Sequence, residues 1–505
     1  MADTALQLGI VGAYMVVALA VGVVAYRLTD RNAEDYYLAS RTLGTVVLLF
    51  TTFATLLSAF TFFGGPNLAY SAGPEWILVM GLMDGIIFAV LWYVLGYKQW
   101  LVGKRHGYVT LGEMLGDRFG STPLRMLVAG VSLVWLFPYV MLQQKGAGQA
   151  IVGLTNGAVP FWVGAGGITL FMILYVAVSG MRGVAWTDTL QGLFMLSLVW
   201  VAVAWVLSAV GGAGQATALL SETNPEFLAL GGGLYTQQYI VSTAVSIAFG
   251  VTMFPQINQR FFAAGSKTVL KRTFALWPVL VLLLFVPAFM LGTWAAGLGI
   301  EVAQGGNVIP ALLAEYTPTW FAALVIAGAM AAMMSSSDSM LLSGSSYLTR
   351  DLYRPLAGRS GSADDEREAA VARVGVVAFA TLSFVASLYS PGTLVQIGET
   401  AFSGFAQLTM PVALALYWRG TTRGGMYAGI LGSQLFYVLH VFPVVETVAG
   451  LIGFQVALPA AYLGWTPGIV GIVLGAVLTV GVSVSTGRAA TEDPTAYRVD
   501  GVEAD

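Results

Sequence analysis

The sequence contains no cysteine and only two histidines, His106 and His440. The absence of cysteine excludes disulfide bonds, thiol nucleophiles, cysteine-ligated metals and palmitoylation. Two histidines are too few for a histidine metal cluster and argue against a catalytic triad. Charge is also scarce, because 10% of the 505 residues are charged whereas 57% are hydrophobic. A soluble chain of this length needs more charge to cover its surface, so the composition predicts an all-α polytopic membrane protein.

Apolar runs of about 20 residues, the length of a membrane-spanning helix, recur along the whole chain. We count thirteen of them. The region 444–463 is apolar but carries Glu446 and Pro459, and we interpret it as an outer loop with a short interfacial helix. The thirteen runs lie near 6–26, 43–71, 75–98, 125–150, 159–180, 184–211, 236–257, 272–297, 310–347, 370–390, 395–418, 424–443 and 464–486.

Basic residues cluster in alternate connections between these runs. These connections and the polar tail 488–505 hold 22 of the 23 lysines and arginines, Arg260 among them, and Lys145 in the fourth run is the exception. Because lysine and arginine accumulate on the cytoplasmic side, the pattern predicts a multi-pass protein of the cell membrane with its N-terminus outside and its tail cytoplasmic. The first run lacks a preceding basic region, so we expect it to be a transmembrane helix of the mature protein and not a cleaved signal peptide.

Two of the runs are interrupted. The second contains Gly64-Gly65-Pro66, and the seventh contains Gly250 and Pro255 at a comparable place. Paired interruptions in two halves of a chain indicate an inverted-repeat transporter with a binding site near the bilayer midplane. Simple proline kinks are the alternative.

The ninth run carries an unusual polar stretch. Within Ala327–Asp351, serines and Asp338 follow small residues and methionine. Hydroxyls and a carboxylate at bilayer depth are costly, so they face the protein interior or a water-filled path. We expect this stretch to bind a small cation.

Five motifs in order resemble those of the sodium:solute symporter family, which includes the sodium/proline, sodium/pantothenate and sodium/glucose symporters. The resemblance extends from Asp35 to about Trp418. The motifs are RTLG (41–44), SAFTFFGGPNLAYSAG (58–73), SGMRGVAWTDTLQG (179–192), FPQINQRFFAAGS (254–266) and AAMMSSSDSMLL (331–342) followed by TRDLY (349–353).

The resemblance implies a leucine-transporter-like fold with two inverted five-helix repeats. The first repeat would span 43–211 and the second 236–418. The first helix with its inner loop would occupy 1–42, and two peripheral helices 419–487. No larger domain is expected.

The resemblance also implies a sodium ion between the break in the second span and the ninth span. Its ligands would be the backbone carbonyls of Ala54, Leu57 and Ala332 and the hydroxyls of Ser335 and Ser336. The last three residues are spaced i, i+3 and i+4, so they share one helix face. Neutral oxygens suit a monovalent cation that must leave again.

Some family members hold a second sodium ion with the aspartate of the WTD motif. Here this implies a second cation site, or an exit route, formed by Asp188, Asp338 and Ser339. Asp338 stands where other members keep serine. It could strengthen such a site, exchange a proton or pair with a basic residue, and both aspartates could instead stabilise helix ends.

The family's solute site lies between spans two, four, seven and eleven. Leu56 stands where sodium/proline members have aspartate, which argues against proline, whereas the GGPxxAY run resembles pantothenate and monocarboxylate-like members. Candidate solute-binding residues are Ser58, Thr61, Gln144, Phe249, Thr252, Phe402 and Gln407.

Lys145 has three interpretations. It could attract a solute carboxylate, reach the outer surface by snorkelling, or pair with Glu399 in the eleventh span. We favour the second or the third.

Together these features predict a sodium-coupled symporter that imports a small carboxylate, pantothenate-like solute or amino acid by alternating access. The cofactor would be sodium ion, and we expect no enzymatic activity and no nucleic-acid partner. A proton-coupled symporter remains an alternative through Asp188 and Asp338, and a non-transporting solute sensor is another. The short tail argues against the sensor, and the oligomeric state is open.

Overall fold

The computed structural model describes residues 2–27, 33–302, 306–357, 365–451 and 457–487. Within these ranges the backbone is almost entirely helical, with two isolated bridges, Leu43–Ala264 and Tyr462–Trp465. The tail expected at 488–505 lies outside the described residues.

The helices follow one another with short connections. The first ten are α1 Ala2–Arg27, α2 Ala33–Leu38, α3 Thr45–Leu56, α4 Phe60–Ala72, α5 Ile77–His106, α6 Leu111–Arg118, α7 Thr122–Leu154, α8 Phe161–Val210, α9 Ala213–Thr223 and α10 Gln237–Thr252. The others are α11 Pro255–Ala263, α12 Lys267–Gly297, α13 Val308–Tyr316, α14 Thr319–Ser346, α15 Asp365–Tyr389, α16 Leu394–Ala406, α17 Thr409–Tyr417, α18 Arg423–Val441, α19 Val444–Leu451 and α20 Pro467–Thr486.

Hydroxyl side chains cap several of these helices at the ends where the apolar runs begin. Ser121 accepts a hydrogen bond from the backbone N–H of Leu124 at the start of α7, and Ser266 accepts one from Val269 at the start of α12. Thr393 and Gln396 form a reciprocal capping box on α16. Each cap satisfies a backbone donor that the first helical turn leaves without a partner.

In the described part of the chain, eight helices are long and apolar enough to cross a membrane, or up to ten if each bent pair is one span. The count of thirteen spans therefore stays a prediction. The fifth and sixth runs form the single element α8, which changes direction at Gly180 (φ 56°, ψ −177°). The ninth run divides at Pro318 into the short α13 and the long α14.

Both interrupted spans are bent, by 61° between α3 and α4 and by 55° between α10 and α11. The second bend lies just before Pro255, where Phe254 is extended (ψ 130°), as the residue before a proline prefers to be. The first bend lies at Leu57 (φ −74°, ψ 123°), not at Gly64-Gly65-Pro66 as the sequence led us to expect. The glycines stay helical because they serve packing: a Cβ on Gly65 would lie 2.2 Å from the Phe289 ring.

The polar helix α14 lies at the centre of the molecule. Every residue from Val325 to Ser346 is buried. The helix packs against α1, α3, α7, α8, α11 and α15. Its hydroxyls and its aspartate therefore face other helices instead of lipid, as the cost of burying polar groups in hydrocarbon requires.

Candidate ion and solute sites

The break between α3 and α4 is hydrogen-bonded to the centre of α14. The hydroxyl of Ser336 donates to the backbone carbonyl oxygens of Leu57, at 2.6 Å, and Thr55, at 2.9 Å. These carbonyls are available because the helix ends here and leaves them without backbone donors. Of the five oxygens proposed as sodium ligands, the structure thus brings those of Leu57 and Ser336 into direct contact. Ala54 and Ala332 are fully buried on the same two helices.

Asp188 on α8 accepts hydrogen bonds from three hydroxyls of the neighbouring helices. Ser335 donates to Oδ1 at 2.5 Å, and Thr51 and Thr55 donate to Oδ2 at 2.5 and 3.3 Å. Thr55 also shares a hydrogen bond of 2.8 Å with Ser339. The structure therefore joins Ser335, a proposed ligand of the first ion, to the proposed second site in one network.

Arg260 completes this network, contrary to its expected place in an inner connection. Its side chain is fully buried, and Nη2 donates to Asp188 Oδ2 at 3.1 Å and to the Ser339 hydroxyl at 2.6 Å. The carbonyl of Gln256, at 3.0 Å, and the hydroxyl of Thr51, at 3.1 Å, accept further bonds. The correction has a physical reason: α11 continues inside the bundle after the bend, so its arginine meets buried acceptors instead of water.

Asp338 differs from Asp188 in its surroundings. It is 3% exposed, and its Oδ1 has no hydrogen-bond partner. It is close enough to Asp188 and Tyr14 to interact with them electrostatically. Asp188 forms an ion pair with Arg260, whereas Asp338 has no such partner among the described residues. Among the described residues, no group of three or more histidine or acidic side chains is placed to hold a metal ion.

A narrow cavity of about 20 Å³ lies beside the break. It is lined by residues of spans two, three, four, seven, eight and eleven, all of them 9% exposed or less, so its lining is buried. Two of the proposed solute-binding residues, Thr61 and Phe402, line it directly. Ser58 lies behind Tyr139, whose hydroxyl donates to it at 3.1 Å.

The other four proposed solute-binding residues are not brought to this cavity. Gln144 donates to Thr169 and to the carbonyl of Ala380, and Gln407 donates to the carbonyls of Ser403 and Gly468. Thr252 donates to the carbonyl of Ala248 within its own helix. The carbonyl of Phe249 accepts from Thr409, and its side chain is not among the lining residues. These four residues contact other neighbours, and their assignment to the solute site stays a prediction.

Lys145 reaches the connection between α15 and α16 and does not pair with Glu399. It is 8% exposed, and its Nζ donates to the carbonyl oxygens of Ser390 at 2.7 Å and Gly392 at 2.5 Å. These carbonyls follow the C-terminus of α15, where a positive charge is favourable. Glu399, the expected partner, instead accepts a hydrogen bond of 3.1 Å from Tyr239.

The sequence reasoning missed a residue of the cavity, Asp84. It lies in the apolar third run and lines the cavity opposite Leu56 and Phe402. The sequence did show that this acid stands alone among apolar residues, since Asp84 is the only charged residue between Ile77 and Tyr97. An isolated acid in a membrane-length run faces the interior and has a function by default.

Two bent helix pairs with a buried cavity beside the break are typical of a secondary transporter. The chain belongs to the sodium:solute symporter family, whose model matches residues 36–432. The family transports solutes, so this multi-pass membrane protein is a transporter and not an enzyme.

Relatives and solved structures agree with this assignment. The sodium/pantothenate symporter of Escherichia coli (strain K12) is 28% identical, over 91% of this chain and 94% of its own. The sodium/proline symporter of Haemophilus influenzae is also 28% identical, over 83% of this chain and 84% of its own.

A Na+-coupled sialic acid symporter in a substrate-bound, outward-open state has a TM-score of 0.77 at 19% identity, covering 96% of this chain and 99% of that one. MhsT in complex with L-phenylalanine has a TM-score of 0.56 at 13% identity, covering 88% and 99%. The expected leucine-transporter-like fold is confirmed.

Proposed function

We propose that the protein is a sodium-coupled symporter that imports a small organic solute by alternating access. The observation that carries this proposal is the hydrogen bond from the Ser336 hydroxyl to the backbone carbonyl oxygen of Leu57 at the break. Hydroxyl and carbonyl oxygens at a helix interruption are ligands that suit a monovalent cation. Sodium would be held there by oxygens of Ala54, Leu57, Ala332, Ser335 and Ser336.

Coupling follows from the position of this site. An ion bound between the break and α14 stabilises the arrangement of α3 and α4 that also forms one wall of the solute cavity. A ligand shifts a conformational equilibrium only by binding one state better than the other. Sodium would therefore raise the affinity for the solute by favouring the state in which that wall is formed. Sodium and solute would then be released together to the inside.

The membrane potential supplies enough free energy for the protein to accumulate its solute. One elementary charge moving through 100 mV contributes about 2.3 kcal/mol. That is a factor of roughly 50 in solute concentration, because each 1.4 kcal/mol corresponds to about tenfold.

Proton coupling is the second candidate, and the unpartnered Oδ1 of Asp338 favours it. A buried carboxylate next to a second carboxylate is a group whose protonation can change with the conformational state. In the sodium-coupled interpretation the same residue, with Asp188 and Ser339, would form a second cation site or exit route.

The test is uptake into proteoliposomes with sodium replaced by potassium at fixed pH. Labelled pantothenate, proline and leucine are suitable solutes, and the expected result is uptake that depends on inward-directed sodium. Uptake of any of them that follows an inward proton gradient without sodium would overturn sodium coupling in favour of the proton. The same vesicles, treated with protease from one side, test the expected orientation of the termini.

A further inference from the structure

Asp84 is a buried carboxylate without a partner. It is 1% exposed, and neither of its oxygens accepts a hydrogen bond. Asp188, at similar burial, has four donors around it. Burying a carboxylate without donors is costly, so Asp84 is stable there either as the neutral acid or beside a counter-charge.

The cavity that Asp84 lines is otherwise aromatic and aliphatic. Phe88 and Trp277 lie near it with ring centroids 6.1 Å apart, and Phe402 packs against Phe60 and Tyr139 at 5.2 Å each. None of the described residues that line the cavity is lysine, arginine or histidine. The counter-charge therefore does not come from the cavity wall.

Two backbone donors at the break are already used. The N–H of Ala59 donates to Gln143 at 3.0 Å, and the N–H of Phe60 donates to the Ser58 hydroxyl at 3.2 Å. Elsewhere such amides hold a solute carboxylate. A solute whose only charge is negative would meet Asp84 here, and none of the described lining residues is basic.

We propose that the cavity binds a compact solute carrying a cationic nitrogen, such as an amine or an amino acid, with Asp84 as its counter-ion. Aromatic faces attract a cation, and a carboxylate forms charge-assisted hydrogen bonds with an ammonium group. The inference rests on the proposed solute transport and narrows its substrate class: it excludes simple carboxylates and pantothenate. In this conformation the cavity of about 20 Å³ has room for about one water molecule, so the solute is admitted only when the lining helices move apart.

The test uses solutes that share one hydrocarbon body and differ in charge. Leucine, isoamylamine (leucine without its carboxylate) and 4-methylpentanoate (leucine without its amine) form one such set. Phenylalanine, phenethylamine and 3-phenylpropionate form a larger one. Each is titrated into the purified protein, and the midpoint of thermal unfolding is followed in sodium and in potassium. Choline is avoided as a sodium substitute because it belongs to the proposed ligand class.

The expected result is a rise in unfolding midpoint with at least one amine or amino acid and none with the matched carboxylates. In Asp84→Asn the apparent affinity for that ligand falls by roughly tenfold to hundredfold, the usual range for a hydrogen bond to a charged group. Asp84→Glu retains part of the affinity. The sodium-induced shift of Asp84→Asn, measured without solute, shows whether the variant is folded and still binds the ion.

Stabilisation by the carboxylates alone, no stabilisation by any of the six compounds, or unchanged affinity in Asp84→Asn would each overturn the inference. Loss of the sodium shift with retention of the amine shift would assign Asp84 to an ion site and overturn it too. These outcomes are separate from the proposed sodium coupling, since binding is measured in both salts and coupling is measured by uptake.

Discussion

The guanidinium of Arg260 lies 3.1 Å from Oδ2 of Asp188, and both side chains are buried at the centre of the helix bundle. The pair joins four helices: Asp188 lies on α8 and Arg260 on α11, and Thr51 of α3 and Ser339 of α14 share the hydrogen bonds of the pair. It therefore connects the first broken span, the second broken span and the polar helix α14 next to the proposed ion site.

Removing one partner of this pair should destabilise the protein more than removing both. Asp188→Asn and Arg260→Gln each leave an uncompensated buried charge, at a cost of about 3–5 kcal/mol. The double variant leaves none. Denaturant unfolding in detergent micelles, followed by tryptophan fluorescence, gives the double-mutant cycle. Strictly additive losses would show that the two residues are not coupled.

Ser336→Ala should weaken sodium binding by roughly tenfold, because it removes the hydroxyl that contacts the break. Sodium affinity is measured from the rise in unfolding midpoint as sodium replaces potassium. The matched control is Ser343→Ala on the same helix, since the Ser343 hydroxyl donates only to the carbonyl of Met340 and the change should leave sodium affinity unaltered. Equal sodium affinity in both variants would remove Ser336 from the site.

Lys145→Met should lower stability without changing solute affinity. The lysine donates to two carbonyls after α15, and the loss of charge-assisted bonds costs about 1.5–3 kcal/mol. Lys145→Arg, which keeps the charge and the donors, should recover part of that loss. Unfolding and solute titrations on the same preparations distinguish this role from solute attraction, for which affinity would fall while stability stayed unchanged.

Low pH should destabilise the protein partly through Glu113, which lies on the short helix α6 between α5 and α7. Burial raises the pKa of Glu113, but the guanidinium groups of Arg350, at 2.6 Å, and Arg125, at 3.1 Å, together with the Val109 N–H, hold it below its ordinary value of 4.5. The contribution is thus present above the ordinary pKa and is lost as pH falls through the lower folded-state value.

Unfolding measured across an acidic pH series tests this expectation. In Glu113→Gln the acid-dependent part of the loss should be smaller than in the wild-type protein, while the exposed Glu226→Gln should behave like wild type. An identical pH profile for Glu113→Gln would contradict the assignment.

The sequence by itself determined the class of protein. Scarce charge and repeated apolar runs require a helical membrane protein, because only helices satisfy their backbone within one segment in lipid. The five motifs, in order, were enough to place the chain in its family. Pro255 also predicted the bend between α10 and α11, since a proline acts on its immediate neighbour and needs no tertiary context.

The tertiary structure decided which side chains meet. Gly64 and Gly65 allow a break, yet the bend formed at Leu57, because Ser336 supplies a partner for the carbonyls exposed there. Arg260 was misjudged because one sequence does not reveal which buried acceptors a distant helix brings near. The same limit concealed Asp84: its isolation among apolar residues was visible in the sequence, but its place in an aromatic cavity depends on how α5 packs against the broken span.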